Sequence, residues 1–196
     1  MEQSITTDIE RHPLEPFLPP NSRLLMLGSF PPPKRRWSMD FFYPNRTNMM
    51  WEIFGLVFFG DPRRLVDVTN KTFRLDDIKS LLNERGIAIY DTATAVRRLS
   101  GNASDKDLQI VEKTDLPLLL SRIPLCHDLV CTGQKSFSVL TDDYGVNIPA
   151  MGEYNKLTVN GRTMRLWRMP SSSRAFPMKL EVKAEYYRKM MRTIGI

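Results

Sequence analysis

The residues of this chain best suited to binding chemistry lie in the loop that follows its first apolar segment. Leu24–Leu27 is apolar and ends at Gly28, and the polar segment up to Thr47 is rich in proline, arginine and aromatic residues. Basic side chains contact phosphates and aromatic rings stack on unpaired bases, so this segment favours a nucleic-acid partner. A solvated loop with a hydrophobic anchor is the alternative. The basic and aromatic residues concerned are Lys34, Arg35, Arg36, Trp37, Phe41, Phe42 and Tyr43, and a second basic pair is Arg97-Arg98.

Three further polar segments follow predicted strands. Asp91 ends the second strand, where its carboxylate could handle water, bond a ligand or cap the next segment. Thr132-Gly133-Gln134-Lys135 follows the third strand. The last segment offers three hydroxyls and one cation, which suit phosphate oxygens, although an ordinary serine-rich loop before a helix is the alternative. Its residues are Met169, Pro170, Ser171, Ser172, Ser173 and Arg174.

The turn Gly28-Ser29-Phe30-Pro31 comes directly after the first strand. Gly28 permits a close backbone approach, and Pro31 makes Phe30 extended. The glycine spacing of a Walker loop or a dinucleotide-binding loop is missing. These residues by themselves therefore predict a strand-end turn.

Asn48 precedes a helix that is predicted over Met49–Phe59. Apolar residues recur there at helical spacing, at Met50, Ile53, Phe54 and Val57. Thr47 or Asn48 can cap this helix, because either side chain can accept a hydrogen bond from a free backbone N–H.

Buried parallel strands are needed to bring these segments together. Strands are predicted at 24–27, 87–90 and 128–131, and a hairpin is predicted around Asn160-Gly161, between 157–159 and 163–167. Helices are predicted at 49–59, 75–85, 116–122, 136–144 and 178–192. This alternation predicts a three-layer α/β fold, in which a central, mostly parallel sheet of four to five strands carries helices on both faces.

The loops at the strand ends are expected to meet at one edge of this sheet, where ligands bind in such folds. The loops are Ser29–Thr47, Asp91–Gly101, Thr132–Lys135 and Met169–Ala175. Residues 1–23 contain four prolines and are predicted to form an irregular arm that packs through Leu14, Phe17 and Leu18. The polar residues 97–113 are predicted to be a loop.

Composition restricts the class of protein. A chain of 196 residues with 42% hydrophobic residues predicts one globular domain. No apolar run approaches the roughly 18–20 residues of a membrane span, and the N-terminus lacks the pattern of a signal peptide.

Cys126 and Cys131 lie in or beside one strand, which indicates free thiols, a reducing compartment and a cytoplasmic protein. Two histidines without a Cys/His cluster predict no metal, and the net charge of +6 favours a polyanionic partner.

Two of these segments, GSFP at Gly28–Pro31 and FFYPNRTNMMW at Phe41–Trp51, resemble motifs of the uracil-DNA glycosylase superfamily. With Met169–Arg174, they are most similar to its hypoxanthine-type and mismatch-type branch. The resemblance covers roughly residues 24–192. Each motif is short, and the resemblance rests on their order and on their positions at successive strand ends.

The resemblance implies a role for each segment. Phe30 stands where many branches carry an aspartate or asparagine that orients the attacking water, so the residue implicated in its place is Asn48, with Asp91 as a second catalytic candidate. The implied base pocket consists of Gly28, Ser29, Phe30, Pro31, Phe42, Tyr43, Thr132 and Gly133. The implied DNA contacts are Lys34, Arg35, Arg36, Pro170, Ser171, Ser172, Ser173 and Arg174.

The sequence therefore predicts a monofunctional DNA glycosylase that removes uracil or hypoxanthine from double-stranded DNA containing a damaged or mismatched base. We expect a monomer that needs no cofactor, no metal and no membrane. A non-catalytic nucleic-acid-binding protein of the same fold is the alternative, because Phe30 cannot activate water. A small-molecule hydrolase is disfavoured, because the chain lacks a nucleophile elbow and a spare catalytic histidine.

Overall fold

The elements of the fold are given in chain order from the computed structural model, which describes residues 8–99 and 107–196. The strands are β1 (Ile9–Arg11), β2 (Leu24–Gly28), β3 (Val66–Asp67), β4 (Thr72–Phe73), β5 (Ile87–Asp91), β6 (Ala93–Arg98), β7 (Leu108–Lys113), β8 (Asp128–Cys131), β9 (Tyr154–Val159) and β10 (Arg162–Arg168). The helices are α1 (Met50–Phe59), α2 (Leu75–Arg85), α3 (Leu116–Ser121), α4 (Gln134–Tyr144) and α5 (Leu180–Ile194), and Lys34–Arg36 forms one turn of 3-10 helix.

A five-stranded sheet in the order β5-β2-β8-β10-β9 forms the centre of the protein. Its first four strands are parallel, and β9 pairs antiparallel with β10 at the edge. β2 is apolar along its whole length because helices cover both faces of the sheet, and Leu24–Leu27 is at most 1% exposed. The predicted α/β fold class is confirmed.

The parallel register sets the strand ends side by side. Gly28 pairs with Asp91 across β2 and β5, and Cys131 pairs with both Leu27 and Arg168. The segments that follow these four strands therefore leave the sheet at the same edge. This edge is the one at which the sequence placed the candidate residues.

The helices were predicted to within a few residues. α2 spans the predicted residues, and Gly86 ends it in the left-handed conformation at φ 66°. α4 begins two residues earlier than predicted, at Gln134, and α5 covers Leu180–Ile194. The Asn160-Gly161 turn has φ of 46° and 76°, as a tight hairpin between β9 and β10 requires.

A second sheet, in the order β1-β6-β7, is the main departure from the sequence prediction. Residues 97–113 were predicted to be a loop, but 93–98 and 108–113 are antiparallel strands, and the rest of the predicted loop, 100–106, lies outside the described residues. β7 is polar because most of its side chains are exposed. One face of this sheet packs Ala93, Val96 and Leu108 against Phe30.

Of the predicted N-terminal arm, residues 1–7 lie outside the described residues, and residues 8–23 are only partly irregular. Ile9–Arg11 pairs with β6, and Phe17 forms an isolated antiparallel bridge with Ile89 in β5. The predicted packing of Leu14, Phe17 and Leu18 on the core is confirmed. Among the described residues, no helix is both long enough and apolar enough to cross a membrane.

Both cysteines are expected to be inert in the folded protein. Cys126 and Cys131 are free and buried, and burial raises the pKa of both thiols to about 12. Because the thiolate is the reactive form, a disulfide reagent at pH 8 should modify neither residue rapidly in the native state. Both should react at once in guanidinium chloride. Rapid native labelling of either thiol would contradict the burial of β8.

Candidate functional site: a cleft at the carboxyl ends of the parallel strands

A cleft of about 1270 Å³ lies at the carboxyl edge of the sheet, and segments that follow β2, β5, β8 and β10 contribute to its wall. The predicted residues in this wall are Gly28, Ser29, Phe30, Pro31, Arg36, Phe42, Tyr43, Asn48, Asp91, Thr132, Gly133, Ser171, Ser172, Ser173 and Arg174. Lys34, Arg35 and Pro170 do not line it. The predicted meeting of the loops at one edge is therefore observed, although only Asp91 contributes from its segment.

Asn48 lies where the loop after β2 meets residues Met169–Arg174, which we call the serine segment. It forms an isolated antiparallel bridge with Ser173, and the N–H of Met49 donates to the carbonyl oxygen of Ser172 at 2.8 Å. The Asn48 Oδ1 accepts a hydrogen bond from the N–H of Met50 at 2.9 Å, at the start of α1. An amide oxygen can accept two hydrogen bonds, so this contact orients the side chain and leaves one acceptor position.

Asp91 is buried where β5 ends, and it pairs with a histidine that the sequence analysis did not select. The Nε2 of His12 and the Oδ2 of Asp91 are 2.8 Å apart, and the two side chains are 2% and 10% exposed. No helix follows Asp91, because β6 begins at Ala93. The capping role considered for Asp91 is therefore wrong, and the roles in water handling or ligand binding remain.

Aromatic rings form one wall of the cleft. Phe30 is mostly buried between the two sheets, and its ring lies 5.3 Å from the imidazole of His12. Phe42 packs against Phe41 and is also mostly buried, so each ring presents only a small area to the cleft. Tyr43 has a left-handed backbone with φ of 50°, and its hydroxyl lies 3.1 Å from the Thr132 Oγ1.

The N-terminus of helix α4 also lines the cleft. Gly133 precedes its first residue, and no side chain caps the helix. The first backbone N–H groups of a helix lack intrahelical partners and carry a partial positive charge. The wall near Thr132 and Gly133 therefore offers hydrogen-bond donors to a ligand.

Hydrogen bonds to its main-chain carbonyl oxygens hold the serine segment in place. The Nζ of Lys183 donates to the carbonyl oxygen of Ser173 at 2.7 Å, and the hydroxyl of Tyr187 donates to that of Pro170 at 3.1 Å. Both residues project from α5 and are fully buried. These contacts leave the hydroxyls of Ser171 and Ser173 partly exposed, whereas Ser172 is buried at 2% exposure.

A buried positive charge lies behind this segment. The nearby charge of Arg174 adds to the effect of burial, and both lower the pKa of Lys183 from its ordinary value, burial being the larger cause. Arg174 is exposed and only 3.5 Å from the Glu52 carboxylate. An anion at the serine segment would therefore meet one exposed and one buried cation.

The predicted basic residues differ in their surroundings. Lys34, Arg35 and Arg36 are exposed, and Lys34 pairs with Asp40 and lies 4.0 Å from the centre of the Trp37 ring. Arg98 was named with Arg97 as a basic pair that favours a nucleic-acid partner, but its side chain is only 6% exposed. It is buried, pairs with the Glu10 carboxylate at 2.9 Å and donates to the Pro31 carbonyl oxygen. Its charge holds the turn after β2.

Sequence reasoning missed His12 and Lys183. Neither stands in a recognisable motif, and His12 lies in an arm whose prolines indicated irregular structure. Only the spacing of Lys183 within an amphipathic helix, beside inward-facing Ala184, could have indicated its burial. Within the part of the chain that the structure describes, no three His, Cys, Asp or Glu side chains are grouped to hold a metal ion.

The same arrangement of elements occurs in a solved structure. An NMR structure of a "putative Uracil DNA glycosylase" from Methanosarcina acetivorans superposes with a TM-score of 0.65 at 20% sequence identity, over 96% of this chain and 100% of that chain. At this identity the similarity shows a shared fold. No protein-family model matches the chain, and a comparison with curated protein sequences found no match.

The contact between Gly28 and Asp91 gives a prediction about stability. A Cβ at Gly28 would lie 2.2 Å from the Asp91 Oδ1, and within 4 Å it would meet Asp91 atoms alone. Gly28→Ala should therefore displace the carboxylate and cost about 1–3 kcal/mol of unfolding free energy, as overpacking does. Urea denaturation measures this cost, and Gly28→Ala in an Asp91→Ala background is the matched control. Equal costs in the two backgrounds would show that Asp91 does not occupy this space.

Proposed function

We propose that this protein is a monofunctional DNA glycosylase that hydrolyses the N-glycosidic bond of a deaminated base, uracil or hypoxanthine, in base excision repair. Its partner would be double-stranded DNA, and it would act as a monomer without metal or cofactor. The observation that carries the proposal is the main-chain bridge between Asn48 and Ser173. It joins the side chain proposed to orient water to the segment proposed to hold phosphates.

The cleft has the size and lining that an extruded nucleotide needs. Its volume of about 1270 Å³ exceeds that of common small-molecule pockets, so it can admit a base with its sugar and flanking phosphates. An enzyme acting on a base in duplex DNA must extrude it and hold it between apolar surfaces. Phe30, Phe42 and Tyr43 supply such surfaces.

The proposed reaction is direct hydrolysis. The C1′–N bond breaks with its electron pair on the base, and the water oxygen bonds to C1′. One proton of this water is transferred to the base, and the other hydrogen stays on the new C1′ hydroxyl. The sugar resembles an oxocarbenium ion in the transition state, so water needs orientation more than deprotonation. The remaining acceptor position of the Asn48 Oδ1 supports this role, because the contact with Met50 fixes the amide.

The leaving base requires donors. Negative charge develops on the base as the bond breaks, and preorganised donors stabilise such charge strongly in a cleft from which water is excluded. The Thr132 hydroxyl and the uncapped N-terminus of α4 are the proposed donors.

The serine segment is proposed to grip the backbone of the strand. Ser171, Ser173 and Arg174 can contact phosphates directly, and the buried charge of Lys183 would add to their attraction. Ser172 and Pro170 would contribute by backbone geometry. Lys34, Arg35 and Arg36 would add affinity that is independent of sequence.

A non-catalytic nucleic-acid-binding protein is the second candidate. It is favoured by Phe30, which lies in the cleft wall and cannot orient water. The two candidates differ in a single observable, because only the enzyme releases a base from DNA that it binds.

Base release tests the proposal directly. We expect wild-type protein to leave abasic sites in duplexes containing uracil or hypoxanthine, and strand breaks should appear only after alkali. Asn48→Ala should lower kcat by about 100-fold or more, because the attacking water loses its orienting group. Asn83→Ala, an exposed asparagine on α2, is the control and should keep full activity. Tight binding without release of any base would favour the second candidate.

The same assay must also examine lyase chemistry, because Lys135 lines the cleft. A monofunctional enzyme forms no covalent adduct with DNA. Borohydride should therefore trap no protein–DNA complex from wild-type protein. A trapped complex that Lys135→Ala abolishes would contradict direct hydrolysis.

Arg174 gives a test of phosphate binding that is independent of catalysis. Arg174→Ala should weaken binding to all duplexes by a similar factor and reduce the slope of log affinity against log salt by about 1, because one phosphate contact is lost. Arg122→Ala is the matched control, since Arg122 is exposed and lies between α3 and β8, at the opposite edge of the sheet. An unchanged slope would place the phosphates elsewhere.

A further inference from the structure

The buried pair His12–Asp91 joins the N-terminal arm to the candidate cleft. The imidazole is 2% exposed and lies among the rings of Phe30, Phe42 and Tyr90. Its hydrogen-bond link to the cleft is the Oδ2 of Asp91, at 2.8 Å. A buried polar pair of this kind is costly unless every atom is bonded, so its geometry is specific.

Contacts with the backbone of Leu14 hold the His12 ring with Nε2 towards Asp91. The Nδ1 lies 3.2 Å from the N–H of Leu14 and 2.9 Å from its carbonyl oxygen. The Nδ1 can accept from the first or, when protonated, donate to the second. In the neutral ring with its hydrogen on Nε2, and in the imidazolium, Nε2 donates to Asp91, so the Asp91 carboxylate accepts this hydrogen bond.

The other oxygen of Asp91 is left for a ligand. The Oδ1 lies against Gly28, where the missing Cβ leaves room for it. Among the described residues, no side chain and no backbone N–H donates a hydrogen bond to this oxygen. The oxygen is also not one of the fully buried polar atoms without a partner, so it is accessible. Asp91 lines the cleft, so its Oδ1 is an acceptor open to the cleft.

The charges around the pair leave this acceptor role intact. Besides Asp91, the charged groups that act on Tyr90, whose ring packs against His12, are Glu15 of the arm and Glu112 of β7. Arg98 of β6 lies 5.7 Å from the centre of the Phe30 ring and is paired with Glu10. Tyr90 stays neutral, because burial raises its pKa to about 12. The pair therefore presents a negative acceptor to the cleft.

Deamination changes the one ring atom that such an acceptor would detect. Cytosine has an acceptor at N3, and uracil has N3–H there. Adenine has an acceptor at N1, and hypoxanthine has N1–H. A carboxylate bonds the N–H and repels the lone pair, so it can distinguish a deaminated base from its parent.

We propose that Asp91 is the specificity-determining residue that binds the ring N–H created by deamination, and that His12 is the positioning residue that orients Asp91. This inference rests on the proposed glycosylase function. It names the group that selects the base, whereas Asn48 orients the water.

Asp91→Asn tests the selection of the base. With His12 donating to the amide oxygen, the Asn Nδ2 would face the cleft and oppose a ring N–H. Release of uracil and hypoxanthine should fall about 10- to 100-fold, and the preference for uracil over cytosine and for hypoxanthine over adenine should fall by a similar factor. The measurement is kcat/KM on four duplexes with identical flanks and opposite bases. An unchanged preference would overturn the assignment of Asp91.

Two substitutions of His12 separate its contact with Asp91 from its contact with Leu14. His12→Gln places an N–H near the position of Nε2 and keeps the Asp91 contact, whereas His12→Asn reaches only the position of Nδ1 and keeps the Leu14 contact. We expect His12→Gln to retain kcat within about 3-fold, and His12→Asn to lose as much kcat as Asp91→Asn with little change in KM. The double variant His12→Asn/Asp91→Asn should be no worse than Asp91→Asn alone.

The outcomes separate this inference from the proposed function. Lower activity in His12→Gln than in His12→Asn, or losses that add in the double variant, would show that His12 only anchors the arm and would overturn its positioning role. If the His12 variants do not fold, the preference of the isosteric Asp91→Asn variant still decides the inference. If wild-type protein releases none of the four bases, the proposed function fails and the inference fails with it.

Discussion

The parallel register of four strands is the constraint on which the rest of this molecule depends. Because β5, β2, β8 and β10 run in the same direction, the segments after Asp91, Gly28, Cys131 and Arg168 all leave the sheet at one edge. These segments are far apart along the chain, and the sheet brings them together. Hydrophobic burial maintains the register, since Leu24–Leu27 is almost completely inaccessible.

Hydrogen bonds to main-chain carbonyl oxygens fix the positions of the loops that line the cleft. The side chains of Lys183 and Tyr187 in α5 donate hydrogen bonds to carbonyl oxygens of the serine segment, and so does the N–H of Met49 at the start of α1. Each of these contacts goes to a main-chain carbonyl. The hydroxyl oxygens of Ser171 and Ser173 accept local hydrogen bonds from the N–H groups of Ser173 and Ala175, both at 3.2 Å, so each hydroxyl can still donate to a ligand in the cleft. The same device holds the turn after β2, where Arg98 bonds the Pro31 carbonyl oxygen. Preorganisation of this kind reduces the entropy cost of binding.

The positive and negative groups that line the cleft occupy different positions, which the composition alone cannot show. Arg36, Arg174 and the N-terminus of α4 face the cleft with positive charge, and Lys183 adds a buried cation. Asp91 introduces the opposite charge at one position, next to the aromatic wall. A net charge of +6 therefore describes the attraction of a polyanion, whereas a single carboxylate would select the base.

The sequence by itself determined the strands of the central sheet, the helices α1–α5 and the edge at which they meet. The apolar run at Leu24–Leu27 and the Asn160-Gly161 turn are local patterns with local causes, and both were predicted correctly. The strands β6 and β7 were missed because the segment 97–113 is rich in polar residues, and the burial of Arg98 was missed because its partner Glu10 is 88 residues away. Tertiary structure alone decided that His12 meets Asp91. That contact spans 79 residues and depends on where an irregular arm crosses a sheet, which no periodicity in the chain encodes.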